Sequence, residues 1–387
     1  MRRIGIEERR ARLGVRHHLA AAAATPAQAA GGVVALHATD PATVFLSVRA
    51  RTPPVGIEAV EHALYEERSL IRMLGMRRTM FVVPVEQAPV IQAGCTRAIA
   101  EQQRRRYTQF IVDGGLGDGA WLADVGDSAA RALAVRGTAT AAQLSADEPR
   151  LRSQLHLNEG KAYGGAQNIT TWVLLLLAAD GRIARGRPRG SWTSTQWQWW
   201  PVEAWLPGGM ADLPVPQARA ELVRRWLAAF GPGTVADLRW WTGWTAGHVK
   251  QALTAVDPVE VDLDGEPGLV LAEDAAPVPS PEPWVALLPA LDPTPMGWSR
   301  RDWYLGPHAP VLFDRSGNVG PTVWCDGRIV GGWAQRAAGE VVYRLLEDIG
   351  SDAAAEVAAQ AARLAAWIGP VRVVPRFRTP LEKELTA

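Results

Sequence analysis

The sequence carries one junction twice. Gly137-Thr138-Ala139-Thr140-Ala141-Ala142-Gln143-Leu144 and Gly233-Thr234-Val235-Ala236-Asp237-Leu238 each follow a long amphipathic segment, Ala120 to Val135 in one case and Gln217 to Phe230 in the other. Glycine accepts the tight turn that ends a helix. Threonine then opens the next helix by accepting a hydrogen bond from an amide of its first turn. Helix, turn and short helix in tandem constrain the fold more than composition does, because they specify repeated helix-turn-helix units.

After the first copy, Ala166 to Ala178 reads as a helix. The extended segments Arg182–Arg185 and Ser191–Thr193 follow, joined by Gly186-Arg187-Pro188-Arg189-Gly190. A helix and then a hairpin with a Gly/Arg/Pro tip is the winged form of the motif. After the second copy, Ala246 to Val256 is a helix, and Val259–Leu263 and Gly268–Leu271 form a hairpin around Asp264-Gly265. A more diverged third copy lies at the N-terminus, with a helix from Gly56 to Leu70 and a strand over Arg77–Val83. The Pro-rich stretch Ala275–Pro283 is a stiff linker. Short strands follow it, with turns at Ser316-Gly317-Asn318 and Asp326-Gly327, and one late helix from Ser351 to Trp367. The expected fold is mainly α with β (α+β): three tandem winged helix-turn-helix modules, 1–115, 116–212 and 213–275, and a C-terminal β-barrel-like domain, 282–387.

The formal net charge of the 387 residues is only +1, so a nucleic-acid partner requires a local basic surface. The two cysteines, Cys95 and Cys325, are far apart and lack neighbours at ligand spacing, which argues against a disulfide framework or a zinc site. The charged N-terminus does not read as a signal peptide, and no segment is long and apolar enough to suggest a membrane span. Tryptophan is abundant, with 17 residues, and clusters at Trp197-Gln198-Trp199-Trp200, Trp240-Trp241 and Trp298 with Trp303. These clusters read first as packing between modules and second as stacking surfaces for bases.

The run Leu36-His37-Ala38-Thr39-Asp40-Pro41 precedes the apolar stretch Val44–Val48. In an extended segment His37 and Thr39 share a face, and Asp40 points away. Both can hold a water, so the run reads either as a small hydrolytic site or as a local polar patch in which Thr39 and Asp40 cap the next segment.

With these pieces in this order, the chain resembles the winged-helix DNA glycosylases that excise alkylated bases, the AlkZ/YcaQ group. The resemblance rests on the Leu36–Pro41 run, Met76–Phe81, Ala179–Ile183 with Gly190-Ser191-Trp192, Asp237–Gly243, Leu291-Asp292-Pro293 and Val330-Gly331-Gly332-Trp333. It implies a concave surface sized for DNA and a catalytic pair at the Leu36–Pro41 position. Relatives carry Gln-x-Gln or Gln-x-Asp there, whereas this chain has His37-Ala38-Thr39. The implied reaction is hydrolysis of the N-glycosidic bond of an alkylated or bulky-adduct base in duplex DNA. His37 and Thr39 would hold the water, and Asp40 would add charge at longer range. The expected DNA contacts are Arg77, Arg78 and Thr79, the wing residues Arg185, Arg187, Arg189 and Trp192, and Arg300 with Arg301. No metal or cofactor is expected. No lysine lies near His37 to form a Schiff base, so a monofunctional enzyme is expected. The partner is double-stranded DNA, and the protein is expected to be a cytoplasmic, nucleoid-associated monomer. The alternative is a non-catalytic winged-helix DNA-binding protein, a regulator or damage sensor.

Overall fold

The computed structural model describes residues 1–157 and 165–387. Both glycine–threonine junctions open helices through reciprocal caps. Thr140 accepts from the Gln143 amide while the Gln143 side chain accepts from the Thr140 amide, and Thr234 with Asp237 repeats the arrangement. Each cap is worth about 1 kcal/mol, because it pairs an amide left over at the helix start.

The same element order recurs three times: helix, short edge strand, capped helix, third helix, and a two-stranded wing whose outer strand pairs with the edge strand. The first copy comprises Pro26–Gly31, Leu36–His37, Pro41–Arg51, Ile57–Tyr65, Leu70–Gly75 and Thr79–Pro84, with His37 opposite Phe81. The second comprises Gly119–Arg136, Ala139–Thr140, Ala141–Asp147, Thr170–Ala179, Ile183–Pro188 and Trp197–Pro201. In the third, Val215–Phe230 leads to a bridge between Gly233 and Leu269. Val235–Thr242, Ala246–Val256 and the wing Val259–Asp262 and Pro267–Val270 follow. The caps of the three middle helices are Asp40, Thr140 and Thr234. The Leu36–Pro41 run is therefore the first copy of the junction that the sequence shows twice.

Local details differ from the sequence reading. The first copy's third helix stops at Tyr65, and Leu70–Gly75 is a strand. Every residue of Leu70–Gly75 is buried, so it lacks the alternation that marks a half-exposed strand. In the second wing the outer strand is Trp197–Pro201, and Ser191–Thr193 lies in a turn held by Ser191, Thr193 and Ser194 hydroxyls. A hairpin of Gln154–Leu157 with Gly165–Asn168 interrupts the second copy, and its third helix starts at Thr170. At the N-terminus, Arg2–Arg3 adds a parallel strand to the third copy's wing.

The C-terminal region does not form the expected barrel. Val285–Leu288, Thr322–Cys325, Arg328–Gln335 and Val341–Leu345 pair in sequence order as an open antiparallel sheet. Four short strands are too few to close on themselves. The Ser351–Ile368 helix covers the sheet instead and buries Val357, Ala361, Leu364 and Ile368. The chain is thus a mixed α+β fold with several small sheets. Apolar side chains of the first copy, the third copy and this sheet make one continuous core, whereas the second copy has its own around Leu122, Leu144 and Trp172.

A buried polar junction joins the parts that share the large core. Arg51, at the end of the Pro41–Arg51 helix, donates to both oxygens of Asp292, at 2.9 and 2.7 Å, and neither side chain is exposed. Ser47 donates to Asp292 at 2.7 Å, and the Thr294 amide does so at 2.9 Å. Thr294 Oγ1 accepts from Arg51 at 2.7 Å and lies 2.9 Å from His17 Nδ1, while His17 Nε2 lies 3.1 Å from the Ala229 carbonyl. The network assigns the proton to Nε2, which donates to Ala229, and leaves Nδ1 to accept from Thr294. Burial works against the Asp292 charge, but Arg51 and the other donors outweigh it and hold the carboxyl below its usual range. Burial, reinforced by Arg51, pushes His17 down to about 3.

Asp292→Ala leaves Arg51 buried without its partner and is expected to cost about 3–5 kcal/mol in denaturant unfolding, more than replacing both residues with apolar ones. His17 stays neutral in the folded chain, whereas the unfolded chain protonates it below about pH 6.5. Its contribution is therefore complete above that pH and is lost as the pH falls toward 3. His17→Gln should flatten the fall in stability over this window by up to about 1.4 kcal/mol per pH unit.

Candidate functional site

His37 closes the edge strand, half-buried, with its ring edge-on to Phe81 at 5.7 Å between centroids. Its Nδ1 accepts from the Thr39 amide at 3.4 Å, a long bond. The proton is therefore on Nε2, because the other tautomer would set two donors face to face. Burial, with Arg77 adding to it, pushes the imidazole down to about 4, so His37 is neutral at pH 7.

Asp40 uses both carboxylate oxygens. One accepts from the Ala42 amide at 3.1 Å and caps the Pro41–Arg51 helix. The other accepts from the Arg376 amide at 3.2 Å and ties down the C-terminal strap, residues 369–379 between the last two helices. Burial pushes its carboxyl up against these hydrogen bonds and the charges of Arg376 and Arg72.

Thr39 lies in the bend between these two residues, at the wall of a chamber of about 660 Å³ between the first and second copies. Arg72 and Met80 of the first wing, Thr170 at the start of the second copy's third helix, and Arg185, Arg189, Trp197 and Trp199 of the second wing also line it. Arg376 of the strap completes it. His37 is not part of the lining; it touches the chamber through Thr39.

A second cleft, of about 480 Å³, lies at the other end of the first wing. Arg77 and Arg78 occupy the hairpin tip, both in the left-handed region, at φ 53° and 58°. Such residues cost about 1 kcal/mol or more each outside glycine, and they cluster where geometry serves a site. Arg77 lies over the Trp240 ring at 4.1 Å, and Arg78 donates to Gln103 at 3.0 Å. Arg106, Arg219 and His248 line the same cleft. Thr79 begins the outer wing strand opposite Gly75.

The three wing arginines separate. A register shift between Arg185 and Pro188 breaks the alternation. Arg185 and Arg189 line the chamber, whereas Arg187 reaches the first copy and pairs with Glu61 at 2.6 Å and Glu66 at 3.0 Å. Trp192, expected among the DNA contacts, is buried against Phe45 and Trp367 at 5.2 and 5.8 Å and offers no face to a ligand. It lies in a turn, and its ring fills the gap between copies. Arg300 pairs with Glu266, and Arg301 sits over Trp240 and Phe313. The Arg300 and Arg301 segment is held through the Arg300 and Ser299 amides, which donate to Asp237.

Arg72, Arg376, Arg219 and His248 were not singled out from the sequence. Arg72 had a readable signal, since a lone charge inside Leu70-Ile71-Arg72-Met73-Leu74 is buried if the strand is. Arg376 and Arg219 come from distant segments and carried none. Among the described residues, no three of His, Cys, Asp and Glu cluster as metal ligands, and no helix is long and apolar enough to cross a membrane.

A family model described as DNA glycosylase AlkZ-like matches residues 30–367. Among solved structures the chain is similar to Streptomyces sahachiroi DNA glycosylase AlkZ, with a TM-score of 0.74 and 20% identity. The likeness covers 96% of this chain and 100% of that one, and at this identity it shows the fold alone. No curated protein matches. The family match spans most of the chain and includes the His37–Asp40 junction, both clefts' wing residues and Asp292; the chain belongs to the AlkZ-like DNA glycosylase family.

Proposed function

We propose that this chain hydrolyses the N-glycosidic bond of alkylated bases in duplex DNA, with Thr39 as the residue that holds the attacking water. The observation that carries this reading is the position of Thr39. It lies on the wall of a basic chamber, in the N-cap junction of the first copy, and its amide is anchored to the neighbouring imidazole.

A purine alkylated on a ring nitrogen already carries positive charge and leaves as a neutral base. The reaction then demands little acid catalysis, only an oriented water, which gives up its proton to solvent as it bonds to the sugar carbon, and tolerance of positive charge on the sugar. The Thr39 hydroxyl can accept a hydrogen bond from that water. His37 is a positioning residue in this scheme. Its Nδ1 is engaged by the Thr39 amide and its Nε2 carries the proton, so it does not act as a base in this geometry. Asp40 sets the bend and contributes a desolvated negative charge that favours the cationic sugar. Duplex DNA would meet the protein along the two basic clefts flanking the first wing.

One observation favours a non-catalytic DNA-binding protein. His37 Nδ1 and each Asp40 oxygen already accept from a backbone amide within the protein.

Base release from duplex DNA containing 7-methylguanine separates the two readings. Wild type is expected to release the base, and Thr39→Ala to do so roughly 10²-fold more slowly with unchanged duplex affinity. Retained binding with no release from any alkylated duplex would leave only the binding protein. Asparagine can keep the cap on the Ala42 amide but offers no second acceptor to the Arg376 amide, so Asp40→Asn should melt lower than wild type. A drop in release by that variant, measured where it is fully folded, would then report the lost charge together with the lost hold on Arg376. Nitrogen NMR of the imidazoles should find His37 as the Nε2–H tautomer with no titration between about pH 5.5 and 8, since burial holds it near 4. Titration near 6.5 would remove the anchoring role.

A further inference from the structure

The chamber beside Thr39 concentrates positive charge, which the nearby Asp40 carboxylate offsets only in part. Arg72 is 5% exposed, and Arg185 is half-buried beside it. Among the described residues neither pairs with a carboxylate. Arg72 Nη1 donates to the Ala38 carbonyl at 2.8 Å, and its Nη2 has no hydrogen-bond partner. The Tyr65 hydroxyl is close enough to weigh on its charge and does not satisfy that nitrogen. Arg185 directs Nη1 at the sulfur of Met80, at 3.5 Å. Each guanidinium stacks on an indole of one strand: Arg72 over Trp197 at 4.4 Å, and Arg185 over Trp199 at 4.5 Å. Residues two apart on a strand share a face, so the two tryptophans form a shelf that keeps the cations side by side.

Two like charges placed together out of water are costly unless an anion joins them. Burial, with Arg72 adding to it, already pushes the Arg185 guanidinium down to about 9. Arg189 and Arg376 add exposed cations at the rim, and the first turn of the Thr170–Ala179 helix faces the same space. Such a lining repels a cationic alkylated base. It matches the group that accompanies every base into a DNA site, a backbone phosphate, whose oxygens guanidinium edges pair with well.

We propose that Arg72 and Arg185, braced on Trp197 and Trp199, form the seat for one phosphodiester of the DNA strand whose sugar is presented to Thr39. This rests on the reading of the chain as a DNA-acting protein. It assigns the chamber to the phosphate and leaves the base outside it. The seated phosphate does two things: it fixes the register of the strand against Thr39, and it neutralises the chamber so that positive charge can develop on the adjoining sugar.

A methylphosphonate walk tests it. Single neutral linkages are placed one at a time along a short duplex, and affinity is measured for wild type, Arg185→Met and Arg72→Gln. Wild type is expected to lose at least about tenfold at one linkage, the floor for a hydrogen bond to a charged group. Both variants should lose no more there than at neighbouring linkages. A variant profile with the same single sensitive linkage overturns the seat. Without DNA and at low salt, Arg185→Met should melt no lower than wild type, because it relieves the repulsion. A clear fall in melting temperature would make Arg185 a structural support and overturn the proposal. If wild type binds no DNA at all, the DNA-acting reading fails separately. Inorganic phosphate then decides the seat by itself: it should stabilise wild type above chloride at matched ionic strength, and not stabilise Arg185→Met.

Discussion

Arg51 and Asp292 lie wholly out of solvent and meet through two parallel hydrogen bonds. One belongs to the capped helix of the first copy, the other to the loop that leads out of the first strand of the C-terminal sheet. Thr294 and His17 extend the pair to the N-terminal segment and to Ala229 near the end of the third copy's first helix. A buried ion pair of this kind adds little net stability over an apolar contact of equal volume, since desolvation consumes most of the attraction. It does forbid alternatives: any other docking of these segments strands a charge in the core. The capped helix that begins at Asp40 is thereby held at its far end, and the strap bearing Arg376 is held at its near end by Asp40 itself.

The junction at Asp40 gains meaning from its two siblings. At Thr140 and Thr234 the same position is a helix cap. In the first copy the cap is a carboxylate, the preceding edge strand ends on a histidine, and Ala38 and Thr39 between them line the chamber shared with the neighbouring copy. Repetition of one structural device, with polar variation at one of its copies, puts a polar run on the chamber wall without any departure from the repeat. The chemistry is then set by what lies opposite. That is the second copy's wing, whose bulge sends Arg185 and Arg189 into the chamber and Arg187 away to Glu61 and Glu66.

Periodicity and capping made the helices of the second and third copies legible, together with their order and the Pro-rich break before the C-terminal sheet. The motifs Leu291-Asp292-Pro293 and Val330-Gly331-Gly332-Trp333 were legible as family marks, and their reasons are architectural. Asp292 holds Arg51, and Trp333 donates to the Leu288 carbonyl across the sheet. Strand edges were not legible: a run of short strands with turns is written alike for a barrel and for an open sheet, and only the pairing of first and last strands tells them apart. Trp192 illustrates the same limit. An indole beside an arginine-rich turn can stack on a base or fill a gap between modules, and its partners Phe45 and Trp367 lie far away along the chain.

Helix starts, the turn residues and the polar run at Leu36–Pro41 were determined by the sequence alone, because each depends on groups within a few residues of one another. The tertiary structure decided that the second Asp40 oxygen is engaged by Arg376, and that Thr39 rather than His37 lines the chamber. It also decided that Arg72, the lone charge of an apolar strand, lies beside Arg185. These outcomes depend on burial and on charges contributed by segments more than a hundred residues apart, and burial exists only once the chain has closed around them.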